Sequence, residues 1–193
     1  MAENICLSGG AAGADYAWAL AARSNFHRAI HWSFAGHKTA DTQDVHVLPV
    51  DLLEQADQHL LVANKGMKRR YPTSSEHTNN LLRRNYYQIA YADAVYAVSR
   101  LVTDSSELKI DGGTAWAAML YVNRCRKENI IPNLYLFDMT TENWFKWIGY
   151  WNILHDLPSP SGVYAGVGSR NITDAGLSAI VNAYKYQTSK DAS

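Results

Sequence analysis

The chain has 193 residues with 18 Lys and Arg against 18 Asp and Glu, so its formal charge is zero and any polyanion would have to find a local basic patch. With 47% hydrophobic residues and 12 Gly, the composition fits one globular domain and excludes disorder, collagen and coiled coil. Two cysteines, Cys6 and Cys125, are too few for a disulfide scaffold and fit no zinc spacing. No apolar run approaches the roughly 20 residues that cross a bilayer. The first residues carry Glu3 where a signal peptide has basic ones. The expectation is a soluble, cytoplasmic protein with no membrane partner.

Ile5 to Leu7 is a short apolar run that stops at Ser8-Gly-Gly-Ala-Ala-Gly-Ala-Asp15, and Tyr16 to Arg23 is alanine-rich with helical spacing, which predicts strand, glycine loop, helix. Ala29 to Phe34 and Val45 to Val50 are strand candidates on either side of a polar loop. Leu52, Leu53, Ala56, Leu60 and Ala63 predict a helix stopped at Gly66. Thr73 to Glu76 predicts a cap for a helix from about His77 to Tyr91, and Ala94 to Val98 a buried strand. Asp111-Gly-Gly-Thr114 opens a second glycine loop, followed by a helix from Ala115 to Arg126 and a strand from Leu134 to Phe137. Trp144, Trp147 and Trp151 are spaced by three and four, which suits one helical stripe packed on the sheet or on a partner subunit. Gly162 to Val167 predicts a strand, Gly168-Ser-Arg170 a turn, and Ile172 to Tyr186 a helix capped by Thr173 or Asn171. Strands alternating with helices give an α/β class, with a mostly parallel sheet covered by helices on both faces.

The three glycine loops carry the functional signal. Backbone N–H groups at a strand-to-helix turn can hold an anion at the positive helix end, and glycine lets a ligand approach the backbone; the plainer alternative is a tight turn without a ligand. The first loop is neither a Walker loop nor the dinucleotide spacing. In an open parallel sheet, loops after the carboxyl ends of neighbouring strands converge on one crevice. There Ser8, Gly9, Gly10, Ala11, Gly13, Asp111, Gly112, Gly113, Thr114, Gly168, Ser169 and Arg170 would line one pocket, and Arg170 would offer a fork to phosphate or carboxylate. Asp15 would accept a ribose hydroxyl or act as a base, or simply favour the local helix dipole. Asn85 and Gln88 would address ribose or base, or form a solvated helix face with Arg83 and Arg84.

These stretches, together with Leu82-Arg-Arg-Asn-Tyr-Tyr-Gln88 and Ala92-Asp-Ala-Val-Tyr-Ala-Val98, resemble the SLOG superfamily, nearest to its YpsA-like branches. The superfamily is Rossmann-like and includes nucleotide-signal sensors, phosphoribohydrolases and a DNA-uptake protein. Its usual order places the Gly-Ser-Arg strand first; here Gly166-Val-Gly-Ser-Arg170 is last, which implies a circular permutation. The second loop, Asp111 to Thr114, lacks the proline and the glutamate of the phosphoribohydrolase pattern. The resemblance therefore implies a binder of a phosphorylated nucleotide-derived signal, a cyclic nucleotide or an ADP-ribose derivative, acting as a sensor or sponge without catalysis. A phage-encoded inhibitor of signal-based host defence fits this small form, and a homo-oligomer is implied as well. The alternatives are hydrolysis of a nucleotide's glycosidic bond through Asp15 or Asp111, and a DNA- or protein-binding module. The run Lys68-Arg69-Arg70 has no recognition-helix context, so nucleic acid is the weaker partner. His27, His31, His37 and His46 match no zinc signature, and neither metal nor cofactor is expected. Trp32 and Phe34 would provide a stacking wall for a base or pack in the core.

Overall fold

The computed structural model describes residues 3–185. In chain order it comprises β1 (Ile5–Ser8), α1 (Ala14–Ser24), β2 (Arg28–Phe34), β3 (Val45–Leu48), α2 (Val50–Gln55), α3 (Asp57–Met67), α4 (Glu76–Ala90), β4 (Ala94–Ser99), α5 (Thr114–Glu128), β5 (Leu134–Asp138), β6 (Asn143–Trp147), β7 (Trp151–Leu154), β8 (Val163–Gly168) and α6 (Asp174–Ala183). The strands form one 8-stranded sheet in the order β3-β2-β1-β8-β4-β5-β6-β7. Pairing is parallel from β3 to β5, and β6 and β7 add an antiparallel hairpin at one edge. This is an α/β fold of Rossmann-like type. No helix among the described residues is long and apolar enough to cross a membrane.

Helices cover both faces. On one, α1 and α6 bury Ala14, Trp18, Ala19, Ala22, Ile180 and Ala183 against Tyr96, Tyr135 and Tyr164 of the strands. The alanine run lets α1 settle so close that the Trp18 ring lies over Gly166. On the other face, α3, α4 and α5 bury Leu60, Met67, Ile89, Met119 and Val122 against Leu7, Val95, Ala165 and Leu136. Burial on both faces explains why the central strands read as continuous apolar runs rather than alternating ones. The single helix expected from Leu52 onward is broken at Ala56 into α2 and α3. Two predicted caps are present: the Ser75 hydroxyl accepts the Thr78 N–H at 3.2 Å, and the Thr173 hydroxyl accepts the Gly176 N–H at 3.1 Å. Tyr186, the expected end of the last helix, lies outside the described residues.

The tryptophan stripe is not helical. Trp144 and Trp147 lie on β6, where residues three apart point to opposite sheet faces. Trp144 therefore packs on Phe137 at 5.4 Å between ring centres, and Trp147 pairs across the hairpin with Trp151 at 5.1 Å. The turn at Ile148 to Tyr150 is closed by Gly149 at a φ of 96°.

Candidate ligand-binding cleft

β1, β8 and β4 are neighbours at the centre of the sheet. Their carboxyl ends lead into the segments around residues 9–13, 168–170 and 111–113, and all three segments reach one cleft of about 430 Å³. The first and third are stitched together: Ala14 N–H donates to the Ser169 carbonyl at 3.0 Å, and Gly168 N–H donates to Asp15 Oδ1 at 3.1 Å. Arg69 secures the second, donating from Nη1 to the Gly112 carbonyl at 2.7 Å and from Nη2 to the Ile110 carbonyl at 2.9 Å. Three loops remote in sequence thus form one rim.

Of the residues expected at the site, Ala11, Asp15, Asn85, Gln88, Gly112, Gly113, Thr114, Gly168 and Arg170 line this cleft, whereas Ser8, Gly9, Gly10, Gly13, Asp111 and Ser169 do not. The Ser8 hydroxyl is buried in the turn, donating to the Asp15 carbonyl at 2.8 Å and accepting the Gly10 N–H at 3.1 Å. Gly9 and Gly10 are buried beneath the loop. Gly13 has a φ of 96°, and a Cβ there would press on the backbone carbonyls of Ser169 and Arg170. Gly13 thus serves the packing of loop on loop, while Gly9 leaves room for Arg84 and Asp15, and Gly10 lies against Thr39 and His31. The Ser169 carbonyl serves the same contact with Ala14. Asp111 is exposed outside the cleft, its N–H donating to the Arg100 carbonyl at 3.0 Å.

The second loop is different. A Cβ on Gly112 or Gly113 would meet nothing within 4 Å, so at this loop the backbone faces open space. Directly behind it α5 begins with Gly113 as its N-cap, with no side-chain cap and no acidic residue in its first turn. The positive end of α1, by contrast, already has Asp15 as its acid. An anion entering the cleft therefore finds its uncompensated helix end at Gly113 and Thr114.

The cleft floor holds a buried ion pair. Arg84 Nη1 donates to Asp15 Oδ2 at 3.2 Å and to Gln88 Oε1 at 2.8 Å, and Gln88 Nε2 donates to the Gly166 carbonyl at 3.1 Å. Both ends of the Gln88 amide are thus engaged by the protein, and Gln88 acts as a strut where the sequence suggested a base reader. Asn85 donates from Nδ2 to the Gly113 carbonyl at 3.4 Å, which places it at the second loop. Burial pushes the Asp15 carboxyl up, against the pull of Arg84 and of the Gly168 N–H. Burial also draws Arg84 down, with Asp15 opposing, and its Nε is a buried donor with no hydrogen-bond partner.

Several further residues line the cleft, Arg70 of the basic run among them. Arg70 joins Arg170 as an exposed cation at the cleft, and neither has an ion pair or side-chain hydrogen bond among the described residues. Leu81, Leu82, Trp116, Ala117 and Val167 add an apolar wall, with Trp116 backed by Tyr71 at 5.7 Å between ring centres. The cleft thus combines two exposed arginines and an open loop backbone with apolar side chains. Among the described residues no group of three or more His, Cys, Asp or Glu could hold a metal ion. His27 instead contacts the Tyr164 hydroxyl at 2.9 Å, and His37 stacks on Phe34, which is buried in the core.

No protein-family model, curated protein or solved structure matches the chain.

Proposed function

We propose that the cleft binds a small phosphorylated, nucleotide-derived ligand, of the cyclic-nucleotide or ADP-ribose type, and holds it without converting it. The observation that carries this reading is the open Gly112–Gly113 backbone at the uncapped start of α5, in a cleft that Arg70, Arg170 and several apolar side chains also line. Backbone N–H groups, a helix end and two arginines that have no ion pair among the described residues suit phosphate oxygens. The Trp116 and Leu82 side suits a base or ribose face. The position of β8 between β1 and β4 supports the resemblance to a permuted SLOG fold, since the Gly-Ser-Arg turn then belongs to a central strand. Such a protein would serve as a sensor or sponge of a signal, in keeping with the inhibition of signal-based host defence.

The absence of catalysis rests on Asp15, the one carboxylate that lines the cleft among the described residues. Its Oδ1 accepts the Gly168 N–H and its Oδ2 faces Arg84, so both oxygens are already engaged by the protein in holding the cleft floor. The upward push on its carboxyl favours the rival, glycosidic hydrolysis, because an acid that keeps its proton can donate it. The two readings separate on incubation with ADP-ribose, cyclic mononucleotides and cyclic dinucleotides, followed by denaturation and mass spectrometry. Retention and unchanged recovery of one of them is expected. Release of free base or ribose phosphate overturns the non-catalytic half, and retention of none overturns the whole. The proposal includes self-association, which a monomeric mass in sedimentation would refute.

A further inference from the structure

A second cavity, of about 310 Å³, is lined by other residues of α4 and has no part in the cleft. Its walls are aromatic: Trp32 from β2, His59 from α3, Tyr86 and Tyr87 from α4, and Tyr91 just beyond it. The amides of Gln55 and Gln58 add polar atoms, and no Asp, Glu, Lys or Arg lines it. Burial, reinforced by Lys127, holds His59 below its ordinary value, so this ring is neutral at pH 7.

The rings stand at angles to one another. Trp32 and Tyr87 are tilted by 45° at 6.0 Å, and Tyr86 and Tyr87 by 83° at 5.2 Å. His59 is stacked flat on Tyr86 at 4.2 Å, which braces that wall. Tyr91 keeps 67% of its surface exposed. The Trp32 indole N–H is a buried donor without a hydrogen-bond partner.

We propose that this pocket binds the ring of a neutral sugar. A strongly hydrated ion would lose its hydration here without gaining a counter-charge, and a quaternary ammonium is left as a control of the test. A flat base could lie on only one of these inclined faces, whereas a saturated ring directs C–H groups at several of them at once. Its hydroxyls both donate and accept, which suits the Gln55 and Gln58 amides. The expected affinity is that of a single sugar, in the millimolar range, and does not depend on the nucleotide reading of the cleft.

The test is NMR titration of the full chain, following the Trp32 indole N–H resonance, which is identified by its loss in Trp32→Phe. The probes are methyl glucopyranoside, methyl galactopyranoside and N-acetylglucosamine, with adenosine and tetramethylammonium as controls. The expected result is a saturable shift with at least one sugar at a dissociation constant below about 50 mM. Tyr91→Ala, at an exposed position, should weaken it about fivefold or more without moving the melting temperature. No shift with any of the three sugars, a tighter response to adenosine or tetramethylammonium, or an unchanged affinity in Tyr91→Ala would each overturn the proposal.

Discussion

The guanidinium of Arg84 fills the space that a side chain on Gly9 would occupy. The first glycine loop is thus shaped around a buried ion pair, and the glycine there accommodates Arg84 rather than a ligand. Gly9→Ala would force Arg84 away from Asp15, in a region where both partners are nearly fully buried. A loss of about 2–4 kcal/mol is expected in urea unfolding. Unchanged stability would mean that the guanidinium moves aside at no cost.

The pair itself makes a second prediction. Removing one partner leaves an uncompensated buried charge, so Arg84→Met alone should cost about 3–5 kcal/mol. Combining it with Asp15→Leu should return a large part of that loss, because no charge then remains on the cleft floor. Strictly additive losses in the double variant would show that the two residues do not act as a pair.

The histidine beside the cleft predicts a pH dependence. Burial first, then the positive charges of Arg84, His77 and Arg170, lower His37 from its ordinary value of 6.5 to about 4. Between those values the unfolded chain takes up a proton that the folded chain refuses, so stability falls as pH drops through this window. His37→Gln should show a shallower fall in melting temperature from pH 6.5 to pH 4 than the parent chain. Equal slopes would remove His37 from this effect.

Much of the architecture was legible in the sequence because the central strands are short apolar runs punctuated by glycine, and such punctuation survives without tertiary information. The convergence of the three loops followed from the sheet type alone. The division of labour among them did not. Gly13 and Gly113 look alike in sequence, yet the first is walled in by the Ser169 and Arg170 backbone and the second faces open space. Only tertiary packing separates the two. Likewise, Arg69 and Arg70 are adjacent, but Arg69 is tied to the Gly112 and Ile110 carbonyls while Arg70 is exposed at the cleft with no side-chain hydrogen bond or ion pair among the described residues. The tryptophan spacing misled because a hairpin with a short turn places Trp147 opposite Trp151, which copies the four-residue interval of a helix.

The openness of the second loop gives a substitution that separates binding from folding. Gly113 has an ordinary helical φ of −70° and free space around its Cβ position, so Gly113→Ala should change stability by less than about 1 kcal/mol. The added methyl would stand where the ligand's phosphate is proposed to approach the backbone, and affinity should fall about tenfold or more. A variant that unfolds, or that binds as the parent does, would contradict this role.

The central claim is most directly tested by calorimetric titration of ADP-ribose, cyclic mononucleotides and cyclic dinucleotides into the parent chain and into Arg170→Ala. Arg170 is exposed and has no side-chain hydrogen bond or ion pair among the described residues. The expected result is saturable binding of at least one of these ligands, weakened by at least about 1.5 kcal/mol in the variant, with both proteins equally stable. Absence of heat with every phosphorylated ligand, or an affinity indifferent to Arg170, would contradict it.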